Sequence, residues 1–293
     1  MSFQIVIFGE NQGKMILIAD SGSTKTDWRL IDEKKQIHQF LTQGINPYFN
    51  TTEQIAGVLK SELISNIQYP ISNIFFYGAG CRVEDKKKIV ELALLEVFPN
   101  SKIVIHSDIL GAAHSLCGKN AGIVAILGTG ANTCYYDGSN IAENRTSAGF
   151  ILGDEGSGAH IGKTFIKAFL NDEMPKDIAD RFVARFKLSK DDIIDAVYRQ
   201  PMPNRFLASF SKFIYQNLKE QFIIDLVANC FHQFFDKHIC KYEKHKEVKL
   251  SCTGSVAFYY SNILRAVALE KGVSIDTITE TPIAGLTLYH LGE

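Results

Sequence analysis

Two short segments carry the residue types that hold phosphate. Asp20-Ser21-Gly22-Ser23-Thr24-Lys25-Thr26 and Gly128-Thr129-Gly130-Ala131-Asn132-Thr133 each combine glycine with hydroxyl side chains directly after an apolar run. Glycine lets backbone N–H groups close on an anion, and Ser23, Thr24 and Thr129 add donors. Lys25 adds charge at the rim, and Asp20 stands where a strand-end carboxylate could hold Mg²⁺ through water. Neither segment has the G-x-x-x-x-G-K-[ST] spacing of a Walker loop, and a strand rather than a helix follows each. Taken singly, each also reads as a hairpin whose polar groups satisfy their own backbone. Two at corresponding places weigh more than one.

Asp108 is the candidate catalytic residue. It follows the strand Lys102–His106 and opens a helix of small residues, Gly111, Ala112 and Ala113, which allow close packing. A carboxylate there can accept the proton of an attacking hydroxyl, although Asp108 also reads as a helix cap; the two roles are compatible. The segment Ser147–Gly158 places Asp154 and Glu155 among four glycines, which suits a loop around a polyhydroxyl ligand. Gly44-Ile45-Asn46-Pro47 is a weaker feature of the same kind, in which Asn46 orients a ligand group or shapes a turn. Thr253-Gly254-Ser255 sits between a strand and a helix, where N–H groups face a phosphate or a surface receives adenine; ordinary helix capping by Ser255 weighs almost as much.

Other residues point away from further chemistry. The eight histidines are scattered, with His232, His238 and His245 on a polar helical stretch. The six cysteines form no C-x-x-C pair, so they read as mostly buried free thiols in a reducing cytoplasm. A net charge of −1 gives no overall pull toward nucleic acid or an anionic membrane. No segment reaches the roughly 18 apolar residues of a spanning helix. Residues 1–14 precede Met15 without a secretory pattern and read as an extension or a short edge strand.

The elements that must position these residues recur twice along the chain. Apolar runs predict strands over Met15–Asp20, Thr26–Asp32, Gln36–Leu41, Asn73–Tyr77 and Lys102–His106, with helices over Thr51–Ser65, Glu84–Phe98 and Ile109–Leu116. The pattern then restarts with strands over Gly122–Leu127, Thr133–Asp137, Ile141–Arg145 and Val248–Cys252. Residues 159–242 read as mainly helical, and Val256–Lys271 and Pro282–His290 as helices. The expected fold class is α/β, with two similar lobes, each a mixed sheet flanked by helices, and a cleft between them. The expected boundaries are 15–118 and 119–281, with the last helix, 282–293, packing back on the first lobe.

In combination, Asp20-Ser-Gly-Ser-Thr-Lys-Thr, Ser107-Asp108, Leu127-Gly-Thr-Gly-Ala-Asn, Gly153-Asp-Glu-Gly-Ser-Gly and Thr253-Gly-Ser-Val closely resemble the N-acetylglucosamine kinase family. That family lies within the BadF/BadG ATPase group of the actin-like, sugar-kinase and heat-shock-chaperone superfamily. The resemblance runs from about Met15 to the C-terminus and implies two ribonuclease-H-like lobes that bind ATP, Mg²⁺ and a sugar, often in a homodimer. It implies Asp108 as base for the 6-hydroxyl of N-acetylglucosamine or glucosamine, and Asp20 at the metal. It places Gly22, Ser23, Thr24, Lys25, Gly128 and Thr129 at the ATP phosphates, with Gly254 and Ser255 at the nucleoside. Asn46, Gly130, Ala131, Gly149, Phe150 and Asp154 would contact the sugar. Ala148-Gly149-Phe150 departs from the Trp-Gly-His of mammalian members. Two other readings share the architecture: an ATPase that activates a radical 2-hydroxyacyl-CoA dehydratase through an iron–sulfur cluster, and a sugar- or nucleotide-sensing protein without transfer activity.

Overall fold

The aliphatic run Ile16–Ser21 forms the central strand, β1, of a five-stranded sheet. The computed structural model describes residues 15–22, 24–67 and 70–292, so Ser23 and the 1–14 extension lie outside the described residues. Contacts divide the chain into two units. The first runs to Gly111 and takes in the chain from Ile283 onward; the second is Ala112–Pro282.

In the first unit, β2 (Lys25–Ile31), β3 (Ile37–Gln43), β4 (Asn73–Gly78) and β5 (Lys102–Ser107) join β1 in the order β3-β2-β1-β4-β5. The first three strands are antiparallel, whereas β4 and β5 run parallel to β1. Side chains alternate across the sheet, so β1 feeds two cores. Leu17 and Ala19 join Trp28, Ile55 and Leu94 under the helices Thr52–Val58 and Glu84–Val97. Ile18 packs the other way, with Tyr77, against Ile283 and Leu286 of the final helix, Ile283–Leu291. The helix expected over Thr51–Ser65 is α-helical to Val58, then widens to a π turn over Leu59–Leu63 and ends in a 3₁₀ turn.

The second unit repeats the same plan. Its strands β6 (Gly122–Leu127), β7 (Ala131–Tyr136), β8 (Ile141–Thr146), β9 (Leu250–Thr253) and β10 (Ile275–Thr279) lie in the order β10-β9-β6-β7-β8. Read from the other edge, that is an antiparallel triplet followed by two parallel strands, as in the first sheet. The restart in the sequence is therefore a restart of topology. β10 was not expected; it is only five residues long, and its pairing with β9 breaks register between Ile275 and Ile278. Six helices, from Gly158–Leu170 to Gln221–Lys237, stand between β8 and β9. They are held by edge-to-face phenylalanines, among them Phe165, Phe182 and Phe213, and Phe231, Phe234 and Phe235 are core. All six cysteines are free thiols, four of them buried. No described helix is long and apolar enough to cross a membrane.

Candidate active site

Within the first unit, the β1–β2 register sets Asp20 directly opposite Asp27. Asp27 is buried and ion-paired with Arg29. Among the described residues Asp20 has no such ion-pair partner. Burial pushes its carboxyl up to about 7, the charges of Asp108 and Asp27 add to the rise, and Lys25 opposes it. The hairpin beyond is closed by Gly22 N–H donating to the Lys25 carbonyl at 3.0 Å, and Gly22, Thr24 and Lys25 are all exposed. A backbone turn open to solvent is what an anion requires.

Asp108 opens the helix Asp108–Cys117 at the end of β5. Its Oδ1 accepts from Ile109 N–H at 2.8 Å, while Ser107 Oγ accepts from Leu110 N–H at 3.4 Å. Ser107 thus shares the capping and Asp108 keeps its carboxyl at the helix mouth. Burial raises that carboxyl to about 6, against the backbone N–H groups that favour the ionised form. Gly111, one turn on, permits this placement. A Cβ there would lie 2.9 Å from Tyr77 side-chain carbons, so the helix packs on β4 only without one.

Asn46 is buried, and its Oδ1 accepts from Tyr48 N–H at 3.0 Å, so it does shape the turn before Pro47. That turn is fastened to the β1–β2 hairpin. Ser21 Oγ donates to the Ile45 carbonyl at 2.9 Å and accepts from Ile45 N–H at 3.1 Å.

In the second unit, the turn at 128–130 joins β6 to β7, so Ala131 and Asn132 begin the strand rather than extend the loop. Gly158 and Ala159 donate to the carbonyls of Gly128 and Thr129 at 2.8 and 3.1 Å, which holds the turn against the Gly153–Gly158 loop. Asp154 Oδ1 accepts from Ala131 N–H at 3.1 Å. Gly149 and Phe150 begin a four-residue helix, and Ser147 Oγ accepts from both Gly149 and Asp154 N–H groups. Sequence spacing does not reveal the bonds from Gly158, Ala159 and Asp154 to the turn, which join residues more than 20 apart.

Gly254 has φ +110°, and a Cβ on it would lie 2.3 Å from the Leu127 carbonyl oxygen. Only glycine lets this turn press on the end of β6. Ser255 is the first helical residue and makes no side-chain cap, which corrects the capping reading. It lines a cavity of about 470 Å³ together with Val256, Tyr259, Tyr260, Ser211 and Tyr215. Ser211 Oγ itself is buried beside Gly158 without a hydrogen-bond partner. A roomy pocket with aromatic walls suits a planar heterocycle. Ser211 and Tyr215 were missed in the sequence because they lie about 40 residues from Gly254, in a helical stretch without a motif. His238 was also passed over, yet it pairs with Glu155.

No family model matches the chain. A kinase of Clostridium acetobutylicum named for N-acetylmuramic acid and N-acetylglucosamine is 28% identical over 215 residues, 69% of this chain and 70% of that one. The crystal structure of a Porphyromonas gingivalis protein provisionally designated an N-acetylglucosamine kinase is 41% identical, with a TM-score of 0.91, covering 95% of this chain and 99% of that one. A ROK-family glucokinase of Streptomyces griseus, solved with glucose and AMPPNP, shares the fold at a TM-score of 0.58 and 14% identity, covering 94% and 97%.

Proposed function

Because this chain belongs to the N-acetylglucosamine kinase family of sugar kinases, and sugar kinases use ATP, we propose that it phosphorylates N-acetylglucosamine or glucosamine at the 6-hydroxyl. Asp108 is the observation that carries the reading. A half-buried carboxyl with a pKa of about 6 is ionised at neutral pH yet basic enough to take a hydroxyl proton. As the sugar O6 bonds to the γ-phosphorus, its proton passes to Asp108, the bond to the β,γ-bridging oxygen breaks, and ADP leaves.

Thr24, Lys25 and Thr129 bind the phosphates through backbone N–H groups, hydroxyls and the lysine charge, on turns that Gly22 and Gly128 close with their own N–H groups. Gly254 and Ser255 lie at the nucleoside, with the cavity beside Ser255 taking the base. Asn46, Gly130, Ala131, Gly149, Phe150 and Asp154 hold the sugar. The carboxylates also fit Mg²⁺. Asp20 is a hard oxygen donor whose pKa is raised by burial and then by the charges of Asp108 and Asp27, which the opposing charge of Lys25 does not cancel. Asp20 would hold the ion through water, and the ion would neutralise charge on the phosphates.

A coupled ADP-release assay with a panel of sugars tests the proposal, followed by NMR of the product. ADP release should depend on an amino sugar, and the product should be its 6-phosphate. Sugar-independent ADP release, or phosphate at another hydroxyl, would refute it.

A further inference from the structure

Glu155 is a buried carboxylate that the chemistry above does not use. It is 6% exposed, and it bonds to the far end of the helical region. Its Oε1 accepts from Lys237 Nζ at 2.7 Å, and its Oε2 meets His238 Nε2 at 2.9 Å, contacts spanning 82 and 83 residues. Burial would raise its pKa, but the hydrogen bonds from Lys237 and His238 outweigh burial and hold it down at about 2. Glu155 is therefore a paired anion at any working pH. Buried ion pairs are a weak source of stability, so a positional role is worth testing.

The residue that needs positioning is its neighbour. Asp154 adopts a left-handed backbone, φ +58°, which costs energy for a residue with a Cβ. On one side Ser147 Oγ accepts from Asp154 N–H at 2.6 Å, and Asp154 Oδ1 in turn accepts from Ala131 N–H. On the other side the chain is held by Glu155, and then by His160, whose Nδ1 accepts from Gly156 N–H at 3.2 Å. Burial keeps His160 neutral, with a pKa of about 4, so its ring can go on accepting. Glu155 is the polar link between this loop and the end of the helix Gln221–Lys237, beside the packing of Gly156 on Phe234.

We propose that Glu155, through its bonds to Lys237 and His238, is a positioning residue that holds Asp154 in the orientation that binds the sugar. The proposal rests on the reading of Asp154 as a sugar ligand. Glu155→Gln keeps the shape and removes the charge. It should raise the KM for the sugar by about tenfold to a hundredfold, as misplacement of a binding group does, with a much smaller change in the KM for ATP. Lys237→Met removes one bond from a partner whose side chain is 57% exposed, and should raise the sugar KM in the same direction but less. Lys237→Arg should restore it.

The deciding measurement is the double variant. If Glu155 acts through Asp154, then Glu155→Gln on top of Asp154→Asn should add nothing to the sugar KM. Additive effects would overturn the positioning role and leave the sugar site standing. An unchanged sugar KM in Asp154→Asn alone would overturn the sugar reading and the proposal with it. If Glu155→Gln does not fold, Lys237→Met in the Asp154→Asn background carries the same test.

Discussion

Replacing Asp108 with Asn removes a charge that the fold bears at a cost, and the structure sets its size. Burial pushes the Asp108 carboxyl from its ordinary 3.8 up to about 6. A folded-state pKa above the unfolded one means that the native protein binds more protons between those values. The stability contribution is full below about pH 4 and is lost as pH rises through about 6. At ~1.4 kcal/mol per pH unit, the loss is roughly 3 kcal/mol above pH 7. Asn keeps an Oδ1 to accept from Ile109 N–H and carries no charge. Asp108→Asn should therefore be more stable than the parent by about 2–3 kcal/mol at pH 8, and by nothing at pH 4. Trp28 is the one tryptophan of the sequence and is fully buried in the unit that carries Asp108. Urea unfolding followed by its fluorescence at the two pH values measures the difference directly. In the ADP-release assay the same variant should lose about 10²- to 10⁴-fold in kcat, the usual contribution of a general base. Equal stability gains at both pH values would refute the burial of a charge at Asp108. Undiminished turnover would refute its role as base.

Three further outcomes follow from the same geometry. The rate should rise with pH through about 6 to 7 as Asp108 and Asp20 lose their protons, and added Mg²⁺ should shift the Asp20 step to lower pH; a profile insensitive to Mg²⁺ would speak against Asp20 at the metal. Gly254→Ala places a Cβ 2.3 Å from the Leu127 carbonyl, so a thermal melt should show a loss of about 2–4 kcal/mol, and the KM for ATP should rise more than that for sugar. Gly111→Ala pushes the Asp108 helix off Tyr77, so kcat should fall by about tenfold to a hundredfold with both KM values little changed; steady-state kinetics checks this.

The strands around the two glycine turns were legible because their signals are local. Apolar runs ended in turn residues, and the element order of the first unit appeared again in the second. β10 was not legible: five residues make a weak periodic signal, and its identity as a strand comes from pairing with β9. The helical region gave no motif, yet it supplies Ser211 and Tyr215 to the cavity beside Ser255, and Lys237 and His238 to Glu155. Polar residues on a helix look solvated in sequence, because the partner that buries them lies far along the chain.

By itself the sequence determined which chemistry is present and on what kind of element. Glycine at 254 sets backbone freedom, and small residues after Asp108 allow a close-packed helix, both consequences of side-chain size within a few residues. Only the tertiary structure decided the energetics. Strand register put Asp27 opposite Asp20, burial raised the pKa of Asp20 and Asp108, and loop packing brought Asp154 to Ala131. Charge and orientation depend on what surrounds a group, and those neighbours are chosen by the fold.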